Sequence, residues 1–174
     1  MMFKRKKILR LIEQLQIEAV ANLLNLGQSP HRQKSFLCSF ESPLVIAVSK
    51  NSFELVKLLL KHGARIDEEG TNGITPLRLA CYMDNSKMVE FLLQNNANPN
   101  YKSKKSGRTN LGVAVARNYE DIVKLLISNG ADVLPVLVNQ APRIRPDLLE
   151  ILFKVDTKIP PHIYTLWNKN PPFH

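Results

Sequence analysis

The feature that most constrains this chain is an internal period of about 33 residues. The phrase Leu58-Leu59-Leu60-Lys61-His62-Gly63-Ala64 returns as Phe91-Leu92-Leu93-Gln94-Asn95-Asn96-Ala97 and again as Leu125-Leu126-Ile127-Ser128-Asn129-Gly130-Ala131. A weaker copy, Leu23-Leu24-Asn25-Leu26-Gly27, precedes them. Three further columns keep the register: Leu44, Leu77 and Leu111; Ala47, Ala80 and Ala114; Val56, Val89 and Val123. Self-similarity at this spacing marks a stack of small units, each too small to bury its apolar face alone.

Within a unit the apolar spacing is helical. Leu44, Ala47 and Val48 fall at i, i+3 and i+4, and Leu55, Val56, Leu59 and Leu60 continue the pattern in a second half. Asn51, Asp84 and Asn118 separate the halves, and these residue types tolerate the left-handed backbone of a tight helix-ending turn. Gly63, Asn96 and Gly130 suit the same conformation at the end of each second helix. The column of alanines lets paired helices approach closely. The expected fold is therefore all-α, a solenoid of helix, turn, helix and extended loop.

The stretch Asn72-Gly73-Ile74-Thr75-Pro76-Leu77-Arg78-Leu79-Ala80-Cys81 resembles the ankyrin repeat, whose units carry G-x-T-P-L-H-x-A. The resemblance covers roughly residues 7 to 133 and implies an ankyrin-repeat solenoid of about four to five repeats, including degenerate caps. Arg78 stands where the family has a histidine that bonds the turn, and Val45 and Gly112 take that place in the neighbouring units. The expectation is a thinned turn network. The expected organisation is a basic N-terminus and capping repeat over 1–27, a loop over 28–42, three repeats over 43–133, degenerate capping helices over 134–157 and a Pro-rich tail over 158–174. In the capping helices Leu148, Leu149, Ile151 and Leu152 are expected to pack on the fourth unit.

Chemistry is sparse. The four histidines (His31, His62, His162 and His174) make no metal-ligand spacing with Cys38 or Cys81. The glycines mark turns rather than a phosphate loop, no serine lies in a nucleophile elbow, and Glu and Asp fall mostly on solvated helix faces. The reading is of a protein that is not an enzyme, with no cofactor, metal or small-molecule substrate. Two cysteines without a secretory signal, and no apolar run of membrane-spanning length, favour the cytoplasm or nucleus. Of the positive charges behind the net +9, nine lie in two clusters, Lys4 to Arg10 and Lys102 to Arg108. That is local charge, unlike the long basic groove expected of a nucleic-acid binder.

The resemblance implies a partner-binding concave face built from loop tips and the exposed side of the first helices. Carried onto matching positions, it comprises Thr71, Asn72 and Ile74 from one loop and Lys104, Lys105, Ser106 and Arg108 from the next. The first helices add Ser49 with Lys50, Tyr82 with Met83, and Ala116 with Arg117. Tyr82 and Met83 would be anchors within a ring of positive charge, for a protein segment that is apolar with acidic flanks. The expected role is a monomeric adaptor or inhibitor. Two alternatives stay open: a ubiquitin-ligase substrate receptor, because Lys158 to Trp167 is similar to the Pro-rich end of a SOCS box or a viral F-box-like tail, and weak nucleic-acid binding through the basic clusters. The helical body of a SOCS box is missing, and the same tail residues, Ile163, Leu166 and Trp167, could instead pack on the last repeat.

Overall fold

The computed structural model describes residues 2–31, 33–34, 40–102, 107–140 and 144–155. These form five helix pairs in chain order. The pairs are α1 (Met2–Glu13) with α2 (Ile17–Asn25), α3 (Pro43–Ser49) with α4 (Phe53–Lys61), and α5 (Pro76–Tyr82) with α6 (Ser86–Gln94). They continue with α7 (Asn110–Ala116) and α8 (Glu120–Ser128), then α9 (Leu134–Gln140) and α10 (Pro146–Val155). First helices stack on first helices, α1 on α3, α5, α7 and α9 in turn, and second helices form a parallel layer behind them.

Local chemistry ends each helix in the same way. Asn51, Asp84 and Asn118 all take positive φ, at 52°, 53° and 60°. After Asn51, the Ser52 N–H returns to the Ala47 carbonyl at 3.1 Å; Asn85 does the same to Ala80 and Tyr119 to Ala114. The alanine column thus has two tasks, close packing and acceptance of the turn-closing bond. Second helices end alike at Gly63, Asn96 and Gly130, with φ of 87°, 66° and 83°. Ala64, Ala97 and Ala131 donate back to Leu59, Leu92 and Leu126 there, the paired bonds of a Schellman ending. Pro43 and Pro76 open α3 and α5, a position where no N–H is needed.

The repeated apolar columns make one continuous core. Leu44, Leu77 and Leu111, the three alanines, and Val56, Val89 and Val123 are all essentially fully buried. Burying each leucine or valine side chain contributes on the order of 1.5–3 kcal/mol. The first pair joins through Ile8, Ile12 and Val20, with Leu11 in the alanine column. At the other end Leu148, Leu149 and Leu152 of α10 are buried and α10 packs on α8, while Ile151 is only half-buried. The basic run Lys4 to Lys7 falls within α1.

Three differences from the sequence reading have physical causes. The connection over 28–42 contains a short antiparallel pairing of β1 (Gln33–Lys34) with β2 (Phe40–Glu41), which one-residue alternation over so few positions does not announce. Arg78 is buried, 3% exposed, and its Nη2 donates to the Arg108 carbonyl of the next unit. The missing histidine therefore leaves a rebuilt network rather than merely a thinned one. Thr75 still caps α5 by accepting from the Arg78 N–H at 3.2 Å, and Asn110 Nδ2 donates to the Pro99 carbonyl at 3.1 Å. Finally, Glu68 is buried rather than solvated; Arg65 Nη2 donates to it at 2.9 Å.

Candidate functional site

The proposed face is built from equivalent positions in successive units. Ser49, Tyr82 and Ala116 lie at the ends of α3, α5 and α7, and Lys50, Met83 and Arg117 are the residues that cap those ends. Each is followed by a left-handed Asn or Asp. The backbone reverses there, so the capping side chains stand outside the helix barrel. Lys50, Met83, Ala116 and Arg117 are exposed accordingly, and Tyr82 is half-buried.

Met83 is 43% exposed, which makes it one of few large apolar side chains on the described surface. Beside it the Arg117 guanidinium lies over the Tyr82 ring, 5.1 Å from the centroid. A cation on an aromatic face is attracted by the ring quadrupole, worth about 0.5–1 kcal/mol at an exposed site. The stack fixes the orientation of two side chains that would otherwise be free. Ser49 is differently employed, its hydroxyl donating to the Ile46 carbonyl at 2.7 Å.

The loop residues form a second group. Thr71 and Asn72 are exposed on a 3-10 turn, Thr71–Gly73, in which Asn72 has φ of 59°. Ile74 is half-buried and directly precedes the cap Thr75. Arg108 is exposed, and its carbonyl holds the buried Arg78. Burial pulls the Arg78 guanidinium below its ordinary value, with Tyr82, Cys81 and Glu69 acting in opposition. Lys104, Lys105 and Ser106 lie outside the described residues.

These two groups are separated along the helix. Ile74 and Tyr82 flank opposite ends of α5, whose seven residues span about 10 Å. The cations are therefore distributed, Arg117 at the Tyr82 end and Arg108 at the loop end. Any partner touching both must run along the first-helix layer.

The two faces differ in where ion pairs occur. On the second helices Lys124 is paired with Glu120 at 2.6 Å, and on α10 Lys154 with Glu150 at 2.7 Å, each one turn apart. Among the described residues no carboxylate lies within 4.0 Å of Lys50, Lys102 or Arg117. The open groove between α6 and α8 is also mixed in charge, lined by Lys87, Glu90, Asp121 and Lys124. The first-helix side carries cations without ion pairs, whereas the outer side mixes ion pairs with cations such as Lys61 and Lys87 that have no carboxylate within 4.0 Å among the described residues.

Sequence reasoning missed the Tyr82–Arg117 stack and the buried Arg78. The stacked pair is 35 residues apart, one more than the 34 that separate Ala80 from Ala114, so their neighbouring columns held that signal. Nothing comparable announced Arg78, because arginine is normally a surface residue.

Among the described residues there is no helix long and apolar enough to cross a membrane. They also hold no group of three or more His, Cys, Asp or Glu side chains arranged for a metal.

Comparison with known proteins converges on the same repeat. The family model described as ankyrin repeats (3 copies) matches residues 11–103 and 44–135. An ankyrin repeat and KH domain-containing protein of Caenorhabditis briggsae is 37% identical over 117 residues, 66% of this chain and 4% of that protein. The transient receptor potential cation channel subfamily A member 1 of Homo sapiens is 31% identical over 122 residues, 70% of this chain and 10% of the channel. An ankyrin repeat protein of Variola virus is 40% identical over 88 residues, covering 49% of this chain and 15% of the viral protein. The chain thus spans a small fraction of these relatives, and what it shares with them is the repeat array. With matched columns, matched turns and stacked helix pairs, this chain belongs to the ankyrin-repeat family.

Proposed function

We propose that the chain is a protein-interaction module, an adaptor or inhibitor, that captures a partner protein along its first-helix face. Ankyrin repeats generally mediate protein–protein interaction, and the finer reading rests on one observation. The first-helix layer carries an exposed methionine and a stacked Tyr82–Arg117 pair beside cations without carboxylate partners. Met and aromatic side chains at a helix end supply adaptable and rigid contact area respectively. The surrounding positive charge favours a segment with acidic residues beside an apolar one and chiefly raises association rate and selectivity. Thr71, Asn72, Ile74, Lys104, Lys105, Ser106 and Arg108 extend the proposed surface toward the loops, with Ser49, Lys50 and Ala116 at the helix ends.

The test is capture of partners by the double variant Tyr82→Ala, Arg108→Ala, with far-UV circular dichroism as the folding control. Loss of the partners retained by the parent chain, at unchanged helicity, is the expected result. Undiminished capture would move the site off this face.

A further inference from the structure

We propose that the segment this face takes is a polyproline II stretch of the pattern acidic-x-x-apolar-x-x-acidic, crossing the first helices at one turn per unit. The inference rests on the first-helix face being the docking surface.

Lys50, Met83 and Arg117 occupy one position of the repeat. They cap α3, α5 and α7 with φ and ψ of −86° and 1°, −86° and 1°, and −103° and −2°. Their side chains therefore leave the backbone in the same direction. Because α3 stacks on α5 and α5 on α7, the three form a row. Its step is about 8–10 Å, the usual distance between packed helix axes. All three are exposed, and the order along the row is cation, thioether, cation. Each lies at the carboxyl end of a helix, where the dipole supplies about half a negative charge. A full positive charge on Lys50 or Arg117 outweighs that and leaves an excess for a carboxylate. Stacking on Tyr82 occupies one face of the Arg117 guanidinium; the N–H edges, which bind carboxylates, stay available.

The step decides the conformation of the occupant. A polyproline II helix rises about 3.1 Å per residue with three residues per turn, so i, i+3 and i+6 line one side about 9.3 Å apart. A β-strand presents i and i+2 on one face only about 6.6 Å apart, short of one unit. An α-helix returns to the same face at i+7, about 10.5 Å on, and overshoots. Arg117 also leans back over Tyr82 of α5, which shortens the second step. The polyproline period fits one contact per unit. Its acidic ends meet Lys50 and Arg117 and its central apolar residue meets Met83, and the preformed backbone loses little entropy on docking.

The test is fluorescence anisotropy of end-capped, dye-labelled peptides with the full chain at low salt. Glu-Pro-Pro-Leu-Pro-Pro-Glu should bind at least about fivefold more tightly than Glu-Pro-Leu-Pro-Glu, or than a helical peptide carrying the same three residues at heptad spacing. Met83→Lys should weaken that peptide and favour the version with Glu in place of Leu. Equal binding at all spacings, or preference for the heptad peptide, overturns the proposed register. If that binding is lost in the Lys50→Glu, Arg117→Glu variant, the face itself stands. Binding that survives the double variant overturns both. Affinities that ignore Met83→Lys overturn the register, as does the absence of binding by every peptide; capture by the Tyr82→Ala, Arg108→Ala variant then decides the face separately.

Discussion

Leu15 occupies the column that Asn51, Asp84 and Asn118 fill in later units, and it takes the same left-handed backbone, with φ of 55°. A leucine there is strained by its own Cβ, at a cost of about 1–2 kcal/mol, and its side chain is 47% exposed, so burial returns little. Leu15→Asn should therefore stabilise the protein, by about 1 kcal/mol, in urea unfolding. A lower midpoint would show that Leu15 makes contacts worth more than the strain. Cys81 gives a second prediction at this scale. Burial pushes its thiol up to about 12, from an ordinary value of 9.0. The unfolded chain ionises first, so stability is undiminished below about pH 9 and falls as pH rises from there toward 12. Cys81→Ala should remove that part of the alkaline slope, seen by comparing urea midpoints of both proteins at neutral pH and within the window. Equal slopes would contradict it. Cys81 is a free, buried thiol, and Cys38 lies outside the described residues.

Between elements, the loops are joined by a ladder that repeats with the sequence period. The Asp67 carboxylate accepts from the Asn98 N–H at 3.1 Å, and one unit later Asn100 Oδ1 accepts from the Asp132 N–H at 2.7 Å. Asn100 Nδ2 also donates to the Gly130 carbonyl at 2.8 Å. On the other side, Asn85 Nδ2 donates to Asn51 Oδ1 at 2.7 Å and ties two turns together. Asn100→Ala removes two bonds at once and should cost about 1–3 kcal/mol, read as a lowered urea midpoint with unchanged circular dichroism. A neutral result would mean that water replaces the ladder without loss. Helices, turns and their order were legible in the sequence because columns of Leu, Ala, Val and left-handed Asn or Gly repeat. The ladder was less so: Asp67 and Asn100 share a column but not a residue type. The β1–β2 pairing and the buried Arg78 broke the period or the usual surface preference, and no column predicted them.

For the whole molecule, stacking separates two surfaces whose cations have different surroundings. The outer layer pairs Lys124 and Lys154 with a glutamate one helical turn away but leaves Lys61 and Lys87 without a carboxylate among the described residues, whereas on the first-helix side Arg117 is stacked on Tyr82 and Lys50 has no carboxylate beside it. The positions of the candidate face were legible from the repeat register; their division into a helix-end and a loop-end group was not, since it depends on the length of α5. Pairs separated by a Debye length, about 8 Å in physiological salt, act on an approaching partner nearly independently, so the two groups should contribute separable losses.

The most direct measurement is partner binding by two charge-reversal variants, compared at low salt. One carries Lys50→Glu and Arg117→Glu on the first-helix face; the other carries Lys61→Glu and Lys87→Glu on the exposed outer face. The first should lose binding by at least about tenfold, or 1.4 kcal/mol, mainly through slower association, and the second should bind as the parent does. Equal losses in both, or a loss confined to the outer-face variant, would contradict it.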